Sequence, residues 1–229
     1  MTITPVTSAP VIRYPLDPEH WKLRAAVFGA FFITAFVVLM LVSALFPSST
    51  LNLLGLLAAI VAGYLGSALT ERVLKGRWHS ARALQLSADG LRLMNGKAAE
   101  QEVLLTTVVT PLRWKFRISK RARVPKGWWM YACSLTGADK QITVYTFMPP
   151  KEAEAFARDG QFPRLLSKKE REKAAADAPQ SLRQAGEERR LREAEDHRWL
   201  SGAEMNPPDF IDFLDRMDRH FEEWAPITS

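Results

Sequence analysis

The sequence predicts an α+β membrane protein: a transmembrane helical hairpin, then a small antiparallel β domain, then a helical C-terminal extension. Three observations lead there. Residues 25–46 and 51–70 carry no charged side chain. A helix rises about 1.5 Å per residue, so each run can cross the roughly 30 Å hydrocarbon core of a bilayer. Only Pro47, Ser48, Ser49 and Thr50 separate the two runs, which forces an antiparallel pair. Beyond residue 83 the pattern changes to short alternating apolar runs divided by turns, and beyond residue 162 to charged helix formers. The expected segments are a tail over 1–20, the hairpin over 21–80 with helices at about 25–46 and 51–74, the β domain over 81–161, and the extension over 162–229.

The tail contains Pro5, Pro10, Pro15 and Pro18 and few large apolar residues, so it is expected to be extended. Trp21 and Trp78 flank the hairpin, where indoles suit the membrane interface. The first helix is rich in Phe and Val, as a lipid-facing helix would be. In the second, Gly55, Ala59 and Gly63 recur every four residues, with Ala62 and Gly66 as a parallel pair. Such spacing lets helix backbones approach closely. The stripe serves either the hairpin itself or a second copy or another membrane protein, the first being the commoner use. No ionisable group lies inside either run, which argues against an ion path or proton relay.

Charge sets the expected orientation. The net charge is +6, yet residues 71–127 hold thirteen Lys/Arg against four Asp/Glu. Arg13, Lys22 and Arg24 flank the other end, and the bend is uncharged. By the positive-inside rule both termini are cytoplasmic in a multi-pass protein of the inner membrane. A cleaved signal peptide fits less well, despite the small residues Val42, Ser43 and Ala44. The apolar run is long, a polar tail precedes it, and a second apolar helix follows at once. The single cysteine, Cys133, excludes an internal disulfide and reads as a buried small hydrophobe.

In the β region, alternation and turns mark strands near 84–88, 91–94, 102–109, 113–118, 128–135 and 141–147, followed by a helix over 152–158 after Pro149-Pro150. The strand-turn LSADGLRL, the run EVLLTTVV and the close YTFMPPKEAEAFARDG together resemble the pleckstrin-homology-like domains of small bacterial two-helix membrane proteins, the YcxB-like group. The resemblance covers about residues 83–161. It implies a curled antiparallel sheet capped by a helix, and no known activity. The chain departs from the pattern in lacking a tryptophan near 104–107 and in its charged extension.

Ser167-Lys-Lys-Glu170 is a capping-box pattern, and a charged helix over about 181–200 is expected to be solvated or to lie on a partner. Pro208 opens a last helix, on which Phe210, Phe213, Leu214, Met217, Phe221 and Trp224 share one face. That face needs protein to dock on: its own β domain or another subunit. Asp209, Asp212, Asp215 and Asp218 are expected to form a solvated acidic face, because their spacing does not converge oxygens on a metal.

No phosphate loop, zinc spacing, nucleophile elbow or paired catalytic carboxylate is present in the sequence, so neither catalysis, a cofactor nor a small-molecule substrate is expected. The strongest constellation is basic: Arg113, Lys115, Arg117, Lys120, Arg121, Arg123 and Lys126, beside Trp128 and Trp129 as interface anchors. A tethered patch of this kind meets anionic headgroups or an acidic protein surface more readily than nucleic acid. The leading expectation is a non-catalytic accessory, scaffold or assembly subunit of a larger inner-membrane complex, in contact with other membrane subunits or a second copy. A stand-alone anionic-lipid-binding or sensing protein is the alternative, and an enzyme on lipid or envelope precursors is the third.

Overall fold

The computed structural model describes residues 11–18, 21–47, 52–78, 80–104, 108–119, 124–137, 140–167, 170–171 and 182–220. It divides into two compact units: Asp17–Ser80, and Met1–Leu16 together with Ala81–Ser229.

In the first unit, α1 (Trp21–Leu45) and α2 (Leu53–Arg77) pack as a hairpin of two helices long and apolar enough to cross a membrane. The Asn52 side chain caps α2 by accepting from the Gly55 amide at 2.9 Å, which satisfies one of the otherwise orphaned first-turn donors. The small-residue stripe is consumed within the hairpin. Gly55, Ala59 and Gly63 are buried, and a Cβ built on Gly63 would lie 3.0 Å from the Phe31 carbonyl and 3.1 Å from the Ala35 Cβ. A Cβ on Gly66 would come closer still, 2.6 Å from the Thr34 hydroxyl, and Ala62 is half-buried. Large side chains point outward on both helices, including Phe28, Phe32 and Phe36 on α1 and Leu57, Ile60 and Leu65 on α2.

The second unit holds two four-stranded sheets. The first runs β1 (Ile12–Pro15), β2 (Arg82–Ser87), β3 (Gly90–Asn95) and β4 (Ala98–Leu104), antiparallel throughout. Gly90, at φ 144°, makes the β2–β3 turn possible, since any Cβ there would strike the Val103 carbonyl. The second sheet runs β5 (Thr110–Arg117), β6 (Trp129–Thr136), β7 (Gln141–Met148) and the two-residue β8 (Ala203–Glu204), which joins in parallel. Helices α3 (Pro150–Ala155), α4 (Leu182–Ser201) and α5 (Pro207–His220) belong to the same unit.

Three expectations are corrected. Part of the tail is β1: Tyr14 and Leu16 are 4% and 1% exposed, two large anchors that draw the segment onto β2 despite its prolines. Pro15 is tolerated because it ends an edge strand. The helix after Pro149-Pro150 is only the short α3, and the element that covers the core is α5 instead. Finally, α4 is docked. Its Leu191 and Ala194 pack with Trp114, Ile118, Met130, Ala132, Tyr145 and Phe147 on the outer face of the second sheet. Strands β6 and β7 are therefore covered on both faces, which explains their nearly continuous apolar runs.

The main core takes residues from both sheets, α3 and α5: Leu84, Leu91, Val103, Tyr131, Leu135, Ile142, Phe156, Phe210, Phe213, Leu214 and Met217 belong to one cluster.

The hairpin packing gives a paired prediction. Gly63→Leu and Gly29→Leu gain the same helix propensity, but nothing lies within 4 Å of a Cβ at Gly29. In detergent, Gly63→Leu should unfold more easily than Gly29→Leu by about 1–3 kcal/mol. Equal stabilities would contradict the close approach.

Candidate functional site

The basic constellation grows from β5, and the structure does not keep it together. Strand alternation sends Arg113, Lys115 and Arg117 to the inner face and Trp114, Phe116 and Ile118 toward α4. The sequence reads all seven cations as one patch open to headgroups or an acidic partner. In fact α4 covers the aromatic side, and the basic side runs from the core outward.

Arg113 is interior. Its side chain is 1% exposed, its Nη2 donates to Asp218 Oδ1 at 2.6 Å, and its Nη1 donates to Gln161. Arg158 joins the same carboxylate and also reaches Asp215 Oδ1 at 2.7 Å. The acidic row on α5 is thus not simply solvated. A spacing of three residues carries Asp215 and Asp218 round to the flank that meets Arg113 and Arg158. Removing one partner of so buried a pair costs about 3–5 kcal/mol, because the other charge is stranded. Beside Arg113 lies the Cys133 thiol, pushed up to about 11 by burial and partly offset by the neighbouring guanidinium.

Lys115 is mostly buried and paired. Its Nζ lies 2.5 Å from Asp159 Oδ1, and the Tyr131 hydroxyl donates to the same carboxylate oxygen at 2.6 Å. Burial works against the Asp159 charge, but the hydrogen bonds from Lys115 and Tyr131 outweigh it and hold the carboxyl below its usual range. Burial, reinforced by that carboxylate, raises Tyr131. A second such pair ties β1 to α5: Tyr14 donates to Asp212 Oδ2 at 2.8 Å, and Arg216 donates to the same oxygen at 2.7 Å. These bonds from Arg216 and Tyr14 lower Asp212.

Arg117 is exposed, and its Nε donates to the Gly127 carbonyl at 3.4 Å. Lys126 is exposed as well. Lys120, Arg121 and Arg123 lie outside the described residues, as do Phe221, Trp224 and the Trp21 side chain. The two adjacent indoles part company. Trp128 packs on the α4 side and Trp129 against the main core, while Trp78 is 41% exposed. Of the C-terminal docking residues, Phe210, Phe213, Leu214 and Met217 are all 1% exposed or less, on the chain's own β sheets. The capping box is formed: Ser167 and Glu170 exchange hydrogen bonds at 2.9 and 3.4 Å.

One residue escaped the sequence reading. Arg164 sits in a parallel bridge with Lys115, held by Lys115 N to the Pro163 carbonyl at 3.0 Å and Leu165 N to the Lys115 carbonyl at 2.8 Å. Its guanidinium and the Lys115 ammonium lie 5.9 and 5.6 Å from the Trp129 ring centre. An isolated arginine after a proline gives no local signal of this. Among the described residues no cluster of three or more His, Cys, Asp or Glu is placed to hold a metal.

No protein family, curated protein or solved structure matches this chain.

The depressed carboxylates set the sign of a pH effect. Asp159 and Asp212 have folded-state pKa values below their unfolded ones, so their contribution is complete above the ordinary aspartate value of about 4 and fades as pH falls through the depressed value. Stability to urea should therefore drop on acidification below that value. Asp159→Asn with Asp212→Asn should flatten the drop while lowering stability at neutral pH. An unchanged acid profile in the double variant would show that these pairs do not couple to folding.

Proposed function

We propose that this protein is a non-catalytic, membrane-anchored module: an accessory, scaffold or assembly subunit that holds a PH-like domain at the cytoplasmic face of an inner membrane. The hairpin crosses the bilayer, and both termini stay on the cytoplasmic side. The YcxB-like resemblance is part of this reading. Its support is the order of two sheets about a common core closed by a C-terminal helix, although that helix lies well beyond the residues that suggested it.

One observation carries the reading. The hairpin is an insertion within the folded domain: the chain leaves after Leu16 and returns at Ala81, and the strands on either side, β1 and β2, are paired from Ile12↔Leu86 to Pro15↔Ala83. A domain whose own sheet brackets its anchor is tied to that anchor twice. A domain joined to its anchor at both ends suits a membrane-held module that meets partners rather than a diffusing enzyme. The module has surface to offer. At the end of the docked α4, Trp199 and Leu200 are 74% and 84% exposed on an otherwise charged helix. The anionic-lipid alternative loses two cations, because Arg113 and Lys115 are spent on Asp218 and Asp159.

The reading predicts a complex. Mild detergent extraction from native membranes, followed by native-size analysis, should give a particle well above the 25.8 kDa of one chain plus its detergent. Trp199→Ser with Leu200→Ser should shrink it without lowering the amount of inserted protein. A lone monomer at every detergent concentration would contradict the proposal.

A further inference from the structure

We propose that Arg117, Arg164 and Trp129 form a binding site for a phosphate group, as a free ion or as the phosphodiester of a lipid headgroup. The inference goes beyond the accessory role and does not depend on it. The site begins with a charge arrangement that the fold pays for. The parallel bridge sets Arg164 beside Lys115, two cations abreast on adjacent backbone segments. Like charges placed side by side on a sheet repel. Both also lie within 6 Å of the same indole, that of Trp129. Directly across the ladder from Trp129 stands Arg117. Two cations thus flank the ring, and a third stands at the facing ladder position on the same side of the sheet.

Their counter-charges are unequal. Lys115 is mostly buried and saturated: Asp159 takes its charge, and the Asp159 carbonyl accepts a further bond at 3.1 Å. Arg164 pairs with Glu170, but those side chains are 47% and 41% exposed, and an exposed pair of this kind is weak against solvent and salt. Glu170 also has an alternative role, since its carboxylate already accepts from the Ser167 amide. Arg117 has a carbonyl partner and no carboxylate among the described contacts. Two guanidiniums are therefore available for a new anion beside a partly buried indole.

The chemistry selects phosphate. Guanidinium forks match phosphate oxygens in pairs, and a doubly or diffusely charged oxyanion can span two forks. The indole adds an apolar wall that a glycerol or acyl segment could lie against. The β5–β6 loop that ends at this site is closed by Ile118 N to the Trp128 carbonyl at 2.7 Å and Gly127 N to the Ile118 carbonyl at 2.9 Å. Lys126, exposed in the described part of that loop, adds to the positive charge that draws an anion in.

The test uses the full chain labelled with 5-fluorotryptophan in a neutral detergent. The Trp129 resonance is assigned by its loss in Trp129→Phe. Inorganic phosphate, a soluble short-chain phosphatidylglycerol and an oligo-aspartate peptide are each titrated at ionic strength matched with chloride. Movement of the Trp129 resonance with both phosphate and the lipid supports a site for phosphate itself, and movement with the lipid alone supports a headgroup site. In either case Arg117→Gln and Arg164→Gln should each weaken binding about tenfold or more, as expected for one lost charge-assisted hydrogen bond. Arg164→Lys should retain part of the affinity. Both residues are exposed enough that these variants should fold, which unchanged resonances of the other tryptophans would verify. No movement with phosphate or lipid, equal binding by the Gln variants, or a response to oligo-aspartate alone would overturn the proposal.

Discussion

The second unit depends on one contact: the apolar stripe of α5 filling the space between the two sheets. Phe210, Phe213, Leu214 and Met217 recur at the three- and four-residue intervals of one helix face, and all four are essentially sealed from water. Each large side chain so buried contributes about 1.5–3 kcal/mol. Without them the inner faces of both sheets would enclose a void, and interiors do not tolerate one. The stripe also draws in β1, whose Tyr14 meets Phe213 edge-on at 5.9 Å between ring centres. A strand that precedes the hairpin and a helix from the far end of the chain therefore share one core.

Polar groups then fix where α5 sits. An apolar stripe alone could slide along the core, but Tyr14–Asp212 and Arg113–Asp218 admit one register. The outer face of the second sheet is handled in the same way. Leu191 and Ala194 of α4 supply little area, and the helix is located by the Trp114 indole donating to Glu195 at 2.9 Å and by Arg198, buried under the Tyr145 ring at 4.6 Å. The charged composition of α4 thus coexists with a docked helix, because several of its charges act as pins.

Local patterns were readable and long-range ones were not. The uncharged runs gave the two helices of the hairpin, and alternation with turn residues gave β2, β3, β5, β6 and β7 close to their observed bounds, whereas the strand expected at 102–109 is β4 at Ala98–Leu104, because the Asn95-Gly96 turn sends the chain straight back along β3. The same reading missed β1, because Tyr14 and Leu16 sit among prolines and show no alternation long enough to count. It missed β8, a parallel pair of two residues with no local signature. Basic residues alternating with aromatics on β5 suggest an accessible basic patch. That inference assumes a sheet with one buried face, and α4 removes the assumption. Arg113 looked like a surface cation because its partner, Asp218, lies 105 residues further on. For the same reason Arg164 could not be grouped with Arg117 before the chain was folded.

The central claim is that β1, which precedes the hairpin in sequence, and α5, which follows it, close one core. Native-state hydrogen exchange on the full chain, with and without Phe213→Ala, tests it most directly. A Phe→Ala change in a filled core costs about 3–5 kcal/mol. The account predicts that the Leu16 amide, bonded to the Arg82 carbonyl at 3.1 Å, loses protection together with the amides of β2, β6 and β7, while the amides of α1 and α2 do not change. Loss confined to α5, with Leu16 and the strands as protected as before, would contradict it.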